Sequence, residues 1–200
     1  MKKLRAVKRP RYKRSNKKKN TKRTSFSAIA PYKITREGQL VFLVINQTLT
    51  RSRMPYSRKY KTKFAGGNVE QRDNKAKNPA QACITREAYE EKEIGTSRET
   101  RLDYECSFKK ELPEHGEGKH TKYFFLVNEN SLPKDLIYRE KIIIDGDSTL
   151  GKPMWINYLD LLNNKNFLHK EALLFFLKKL GYSVKKTKKR GWVKSTNPSN

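Results

Sequence analysis

Two glutamates fall where a helix should carry hydrophobic side chains, and that placement limits what this chain can fold into more than any other feature. Asn78-Pro79-Ala80-Gln81 has the makings of a helix start. The asparagine can accept N–H bonds as N-cap, the proline has no N–H to leave unpaired, and the glutamine can close a capping box. The spacing predicts a helix from there to about Lys92. On a wheel of about 100° per residue, Ala80, Cys83, Ile84 and Ile94 share one face. Glu87 and Glu91 fall on that same face, with Glu90 at its edge, whereas Thr85, Tyr89 and Lys92 lie opposite. A solvated run of charge belongs on the opposite face. Carboxylates in line with a core stripe lose hydration unless they are paired or bind a metal. An Arg86–Glu90 ion pair, four residues apart, accounts for Glu90 and leaves Glu87 and Glu91 to be explained.

A second feature stands upstream. Gly66-Gly67 ends a short apolar run and is followed by Asn68-Val69-Glu70. A tight backbone turn beside clustered carboxylates is one way to hold a hard divalent cation against a phosphate chain. The surroundings carry the opposite sign. The chain has 46 Lys and Arg against 20 Asp and Glu, a net charge of +26 and a pI near 10.1. Thirteen of those basic residues, and no acid, lie between Met1 and Arg23. Beyond Arg36, 31 basic residues still face the 20 acids, a net +11, so the part expected to fold is itself basic. This balance points to a nucleic acid or another anionic surface; a solubility tail or a composition bias of the source genome gives the same numbers.

Composition and patterning set the layout. Residues 1–24 read as a disordered basic arm, in which Arg9-Pro10-Arg11 and Lys17-Lys18-Lys19 suit phosphate contacts and Tyr12 suits base stacking. One domain is expected over 25–182, and a basic tail over 183–200. Strands are predicted at Phe26–Ile34, Leu40–Ile45 and Lys122–Val127, with a short one at Lys141–Ile144. Helices are predicted around Leu159–Leu162 and from His169 to Leu180. Residues 47–62 read as a polar loop leading into the Gly-Gly turn. Its basic residues and the next lysine, Arg51, Arg53, Arg58, Lys59, Lys61 and Lys63, are candidates for nucleic-acid contact. His115-Gly116-Glu117-Gly118-Lys119-His120 reads as a hairpin loop: it lacks cysteine partners for zinc and the spacing of a phosphate loop. Two cysteines make no disulfide framework, which points to a reducing compartment. No run approaches the ~18 apolar residues of a membrane helix, and the N-terminus lacks the apolar segment of a secretory signal. The cytoplasm is the expected location, or the nucleus where the cell has one, since the lysine run also suits nuclear import.

The acidic segment resembles the signature of Nudix hydrolases, Gly-x5-Glu-x7-Arg-Glu-U-x-Glu-Glu-x-Gly-U with U aliphatic. Phe64-Ala65-Gly66-Gly67-Asn68-Val69-Glu70 resembles the entry strand and turn, and Arg86-Glu87-Ala88-Tyr89-Glu90-Glu91-Lys92-Glu93-Ile94 the helix. The resemblance extends over roughly residues 25–180 in the order of strands and helices. Three departures stand out. The stretch from Gly67 to Arg86 is five residues longer than the signature, through the polar insertion Arg72–Lys77. The acid between them is not glutamate: with five residues between it and Gly67 stands Asp73, and with seven between it and Arg86 stands Asn78. The late glycine is replaced by Glu93, with Gly95 two residues on.

The resemblance implies an α/β (α+β) fold, an α/β/α sandwich with a mixed central sheet. It implies Mg2+ or Mn2+ held by Glu87, Glu90 and Glu91 with help from the Gly66 carbonyl, Arg86 orienting the glutamates, and Glu91 and Arg86 in the catalytic set. A further carboxylate from a later loop would act as base or extra ligand; Glu140 is favoured over Asp145, Asp147, Glu114 and Glu117. The reaction implied is hydrolysis of a pyrophosphate bond in a nucleoside-diphosphate-linked substrate. The charge favours an RNA 5′ end as substrate, by decapping or by trimming a 5′ triphosphate or diphosphate, because a free nucleotide needs few basic groups. A pyrophosphatase for free nucleoside polyphosphates or nucleotide sugars, and a non-catalytic RNA-binding protein, are the alternatives.

Overall fold

Two long strands are hydrogen-bonded at one end and separate at the other, and the Gly-Gly turn sits in the gap. The computed structural model describes residues 24–49, 60–90, 103–112, 120–132, 143–145 and 148–195. Strands β1 (Thr24–Ile34) and β2 (Leu40–Leu49) are joined by a tight turn in which the Gly38 N–H donates to the Thr35 carbonyl at 2.9 Å. Their register runs only from Ile34↔Leu40 to Tyr32↔Phe42. Past that point β3 (Tyr60–Lys63) lies antiparallel to β2, and β4 (Gly66–Asn68) lies antiparallel to β1. Between β3 and β4, the Ala65 carbonyl accepts the Ile29 N–H at 2.9 Å. Backbones meet closely here. A Cβ on Gly66 would lie 2.2 Å from the Ser27 carbonyl oxygen, and its φ of +152° is open to glycine alone.

The rest of the sheet builds outward. Strand β6 (His120–Asn128) runs parallel to β1 from Thr24↔His120 to Tyr32↔Asn128. Strand β5 (Cys106–Leu112) pairs antiparallel with β6; β8 (Ser148–Asn157) pairs with β2, and β7 (Ile143–Asp145) with β8. Among the described residues the order is β5-β6-β1-β2-β8-β7, with β3 and β4 in the gap. The Leu40–Ile45 run is buried throughout, as expected of a strand covered on both faces. Helix α1 (Pro79–Glu90) covers one face: Ala80 and Ile84 pack with Ile29, Leu43, Ile45, Phe125 and Val127. Helices α2 (Tyr158–Asn163) and α3 (Lys170–Lys179) cover the other, where Leu161, Leu173 and Phe176 meet Phe42, Phe124 and Leu126. Each large apolar side chain so buried stabilises the fold by about 1.5–3 kcal/mol. The three-layer α+β arrangement with a mixed central sheet is therefore the one expected.

Several details differ from expectation. The polar stretch 47–62 is strand at both described ends, because β2 continues to Leu49 and β3 begins at Tyr60. Strand β5 was not predicted; it alternates half-buried and exposed residues, but with lysines among them, as suits a sheet edge. The described part of the expected basic tail, up to Ser195, is also structured. Strands β9 (Val184–Thr187) and β10 (Gly191–Lys194) form a hairpin whose Val184 and Trp192 pack on the α2/α3 core. Asn163 holds it, accepting the Trp192 N–H at 2.8 Å and donating to the Trp192 carbonyl at 3.1 Å. No helix among the described residues is long and apolar enough to cross a membrane.

Candidate functional site

Helix α1 starts as its sequence requires. The Asn78 carboxamide oxygen accepts the Gln81 N–H at 3.2 Å, and the Asn78 carbonyl accepts the Ala82 N–H. Ser27 ties the helix to β1 by donating to the Ala80 carbonyl at 2.7 Å. Ala80, Cys83 and Ile84 are buried, as the wheel places them. Thr85, expected on the wet face, is buried too. Four consecutive residues, Cys83 to Arg86, are enclosed, so more than one face of this turn is covered.

Arg86 is the centre of the site. It is 2% exposed, and three acids converge on it. Its Nε donates to both Asp73 oxygens, at 3.0 and 3.3 Å, and Nη2 donates to Asp73 Oδ2 at 3.0 Å. Nη2 also donates to the Asn68 carbonyl at 2.9 Å and contacts Cys83 Sγ at 3.5 Å. Nη1 donates to Glu87 Oε1 at 2.7 Å and lies 3.7 Å from Glu70 Oε1. Burial alone would favour the neutral guanidine. The hydrogen bond to Asp73 and the charge of Glu87 outweigh it and keep Arg86 protonated. Asp73 is 4% exposed and accepts the Glu70 N–H at 2.7 Å. Burial pushes its carboxyl up, but the bonds from Arg86 and the Glu70 amide hold it below the usual range. Cys83 is inert by contrast: burial, then the Glu87 charge, pushes its thiol up to about 12.

Asp73, separated from Gly67 by five residues, is thus the acid of the turn that meets Arg86, with one methylene fewer than glutamate. Asn78, the other position that spacing offered, caps the helix instead. Five residues, 74–78, separate Asp73 from Pro79, the first two completing its 3-10 turn (Asp73–Lys75) and the rest leading into the helix.

Glu87 faces the turn. Its side chain is 17% exposed, and a Cβ on Gly67 would lie 2.3 Å from its Oε1. Gly67 is therefore the floor on which this carboxylate rests. The Gly66 carbonyl accepts the Lys63 ammonium at 3.2 Å. A carboxylate and a peptide carbonyl are all-oxygen donors, the type suited to Mg2+ or Mn2+. Among the described residues, however, no three His, Cys, Asp or Glu side chains are placed to hold a metal. Asp73, Glu70 and Glu87 converge on a guanidinium instead.

The remaining expected site residues separate. Glu90 continues the helix one turn beyond Glu87, with only its backbone described; Glu91 and Glu140 lie outside the described residues. So do Arg51, Arg53, Arg58 and Lys59 of the basic loop, the arm over 1–23, and Asp147. Lys61 and Lys63 belong to β3. Lys63 is only 9% exposed and points inward to Gly66, a placement that an open polar loop did not suggest. Both faces of β3 are covered at this end, where Thr62 and Lys63 are buried together as the strand enters the core.

No family model and no curated protein matches the chain. Solved structures do. A NUDIX hydrolase from Alicyclobacillus acidocaldarius matches at 15% identity and a TM-score of 0.45, covering 72% of this chain and 82% of its own. A mutT/nudix family protein from Listeria innocua matches at 17% and 0.46, covering 78% and 92%. A C. elegans Ap4A hydrolase matches at 15% and 0.45, covering 78% and 97%. With TM-scores below 0.5 these likenesses carry no argument about the site, which stands on the residues of this chain.

Proposed function

We propose that this chain is a divalent-metal-dependent hydrolase that cleaves a pyrophosphate bond at an RNA 5′ end. One observation carries the reading: Glu87, on the core-facing side of α1, is locked by the buried Arg86–Asp73 pair and seated on Gly67, the second glycine of the turn. A purely structural ion pair does not need a third carboxylate held at a backbone turn.

Glu87, Glu90 and Glu91 with the Gly66 carbonyl would hold Mg2+ or Mn2+, which when bound supplies charge neutralisation at phosphate oxygens and acidifies a water. The chain's own residues do the positioning. Asp73 fixes Arg86, and Arg86 fixes the carboxylate of Glu87 so that it loses little rotamer freedom on use. Glu140 is retained as the further carboxylate on the strength of its place in the chain. The net charge of +26 supports RNA over a free nucleotide, and the basic arm supports a cytoplasmic or nuclear RNA substrate.

The test is a substrate panel of capped RNA, triphosphate RNA and free nucleotides with Mg2+ or Mn2+. Release of capped nucleotide or pyrophosphate from RNA is expected. Glu87→Gln and Glu91→Gln are each expected to lower turnover at least ~100-fold while leaving RNA binding intact. Turnover of free nucleotides alone would transfer the reading to a nucleotide pyrophosphatase, and no turnover on any substrate would refute catalysis.

A further inference from the structure

On the α2/α3 face of the sheet, away from α1, lies an open cleft of about 410 Å³ between β5, β6 and the start of α3. Its rim carries Lys110, Lys122, Lys165 and Lys170, against a single acid, Glu171. Glu171 is engaged by Lys110. Lys122 is half-buried with its ammonium over the Phe26 ring at 6.0 Å, and burial, then the charges of Lys110 and Lys61, lowers its proton affinity. Lys170 is likewise lowered, by burial and by Lys186 of the C-terminal hairpin. Cations crowded and partly dehydrated in this way gain most from an anion that comes between them.

Two further features point into the same cleft. Helix α3, ten residues long, begins there, and its N-cap residue His169 makes no side-chain capping bond. Lys170, Glu171 and Ala172 of its first turn line the cleft, so N–H groups without intrahelical partners face it. His169 lines it as well and is only 7% exposed. Its Nδ1 accepts the Phe64 N–H at 3.2 Å, which places the proton on Nε2. Burial, with Lys63 and Lys122, keeps the ring neutral. Nε2–H is therefore a buried donor with no oxygen or nitrogen acceptor among the described residues, in a ring that lies among Phe26, Phe64, Phe124 and Phe167. Beside it the cleft shows apolar surface: Phe108 is half-buried, and Leu168 is 49% exposed.

We infer that this cleft and the adjoining β9–β10 hairpin form a binding track for single-stranded nucleic acid, phosphates lying along Lys122, Lys165, Lys170 and Lys186 and a base against Phe108. Lysines at the rim, uncapped helix amides and a neutral imidazole donor suit phosphate oxygens. The apolar floor suits a nucleobase rather than a second phosphate. The extension to Lys186 makes the track longer than one nucleotide. The inference goes beyond the hydrolytic reading and stands without it, because it requires neither Glu87 nor a metal.

The test is fluorescence anisotropy of the full-length protein with a labelled ten-nucleotide oligouridine in EDTA, across a salt series. Lys122→Ala/Lys165→Ala/Lys170→Ala is compared with a control of equal charge loss elsewhere, Lys75→Ala/Lys77→Ala/Lys152→Ala. The cleft variant is expected to bind about tenfold more weakly than the control, with a salt slope shallower by about 2. Lys165→Glu/Lys170→Glu, on the accessible rim, guards against misfolding of the triple variant and is expected to act the same way. Equal affinities for cleft and control variants would overturn the inference, as would equal competition by a duplex of the same length or by polyglutamate. Hydrolysis lost with binding kept, or the reverse, separates this site from the carboxylate site.

Discussion

Replacing Asp73 by asparagine keeps the shape of the side chain and removes its charge. In the wild type this carboxylate takes three contacts from Arg86, and both partners are almost fully enclosed. Removing one member of a buried pair typically costs about 3–5 kcal/mol, because the surviving charge remains buried without its partner. Here Arg86 keeps Glu87 at 2.7 Å and the Asn68 carbonyl at 2.9 Å, so the low end, about 3 kcal/mol, is expected. For a domain of this size that corresponds to a fall in melting temperature of roughly 6–12 °C. The assay is urea unfolding at pH 7, reading the midpoint with the slope unchanged. Pairing Asp73→Asn with Arg86→Met in a double-mutant cycle isolates the interaction, which is expected to exceed about 1.5 kcal/mol. The sign with pH follows from the lowered Asp73 pKa. Its stabilisation is present above the ordinary carboxylate range and is lost as pH falls through the folded value. The variant should lack that acid-side loss. A destabilisation below about 0.5 kcal/mol, or an unchanged acid limb, would show that Arg86 is held by something other than Asp73.

Three other outcomes are expected. Gly67→Ala puts a Cβ into the Glu87 carboxylate; hydrolysis should fall at least ~10-fold with a small change in melting temperature, and full activity would remove Gly67 from the site. His169 is held neutral by burial, with a pKa of about 3, so the unfolded chain takes up a proton that the native protein refuses. Stability should therefore fall as pH drops below about 6.5, by about 1.4 kcal/mol per unit; His169→Gln should flatten that slope in urea titrations between pH 7 and 5, and an unflattened slope would contradict it. Ser27→Ala removes the bond to the Ala80 carbonyl and should cost about 1 kcal/mol, the net worth of one buried hydrogen bond, since the carbonyl keeps its helical partner, measured by chemical unfolding; a neutral effect would show that α1 does not depend on this tether.

What could be read from the chain follows the physics of each signal. Leu40–Ile45 is continuously apolar and has one solution, a buried strand. Asn78-Pro79 states a helix start in its own local chemistry, and the structure uses Asn78 as cap. Glu87 was recognisable from its place on the core face, and Arg86 from the segment that resembles the signature. The acid opposite Arg86 was harder, because a buried ion pair is a matter of three-dimensional meeting and Asp73 lies thirteen residues away. The cleft had no local signature at all: Lys110, Lys122 and Lys170 come from three elements, and only sheet pairing such as Lys110↔Lys122 brings them together. Strand β5 and the final hairpin were obscured by lysines, which at an edge mark protection from pairing and elsewhere read as disorder.

The parallel pairing of β1 with β6 has a consequence for the order in which the molecule is made. Its partners are 96 residues apart, as for Tyr32 and Asn128. The partners described for Arg86 lie between residues 68 and 87, whereas the lysine cleft draws on β5, β6 and α3. On a ribosome the acidic site can close while the basic cleft is still being synthesised. Closing the long β1–β6 loop then becomes the slow step, and a nascent chain paused before β6 exposes the free edge of β1.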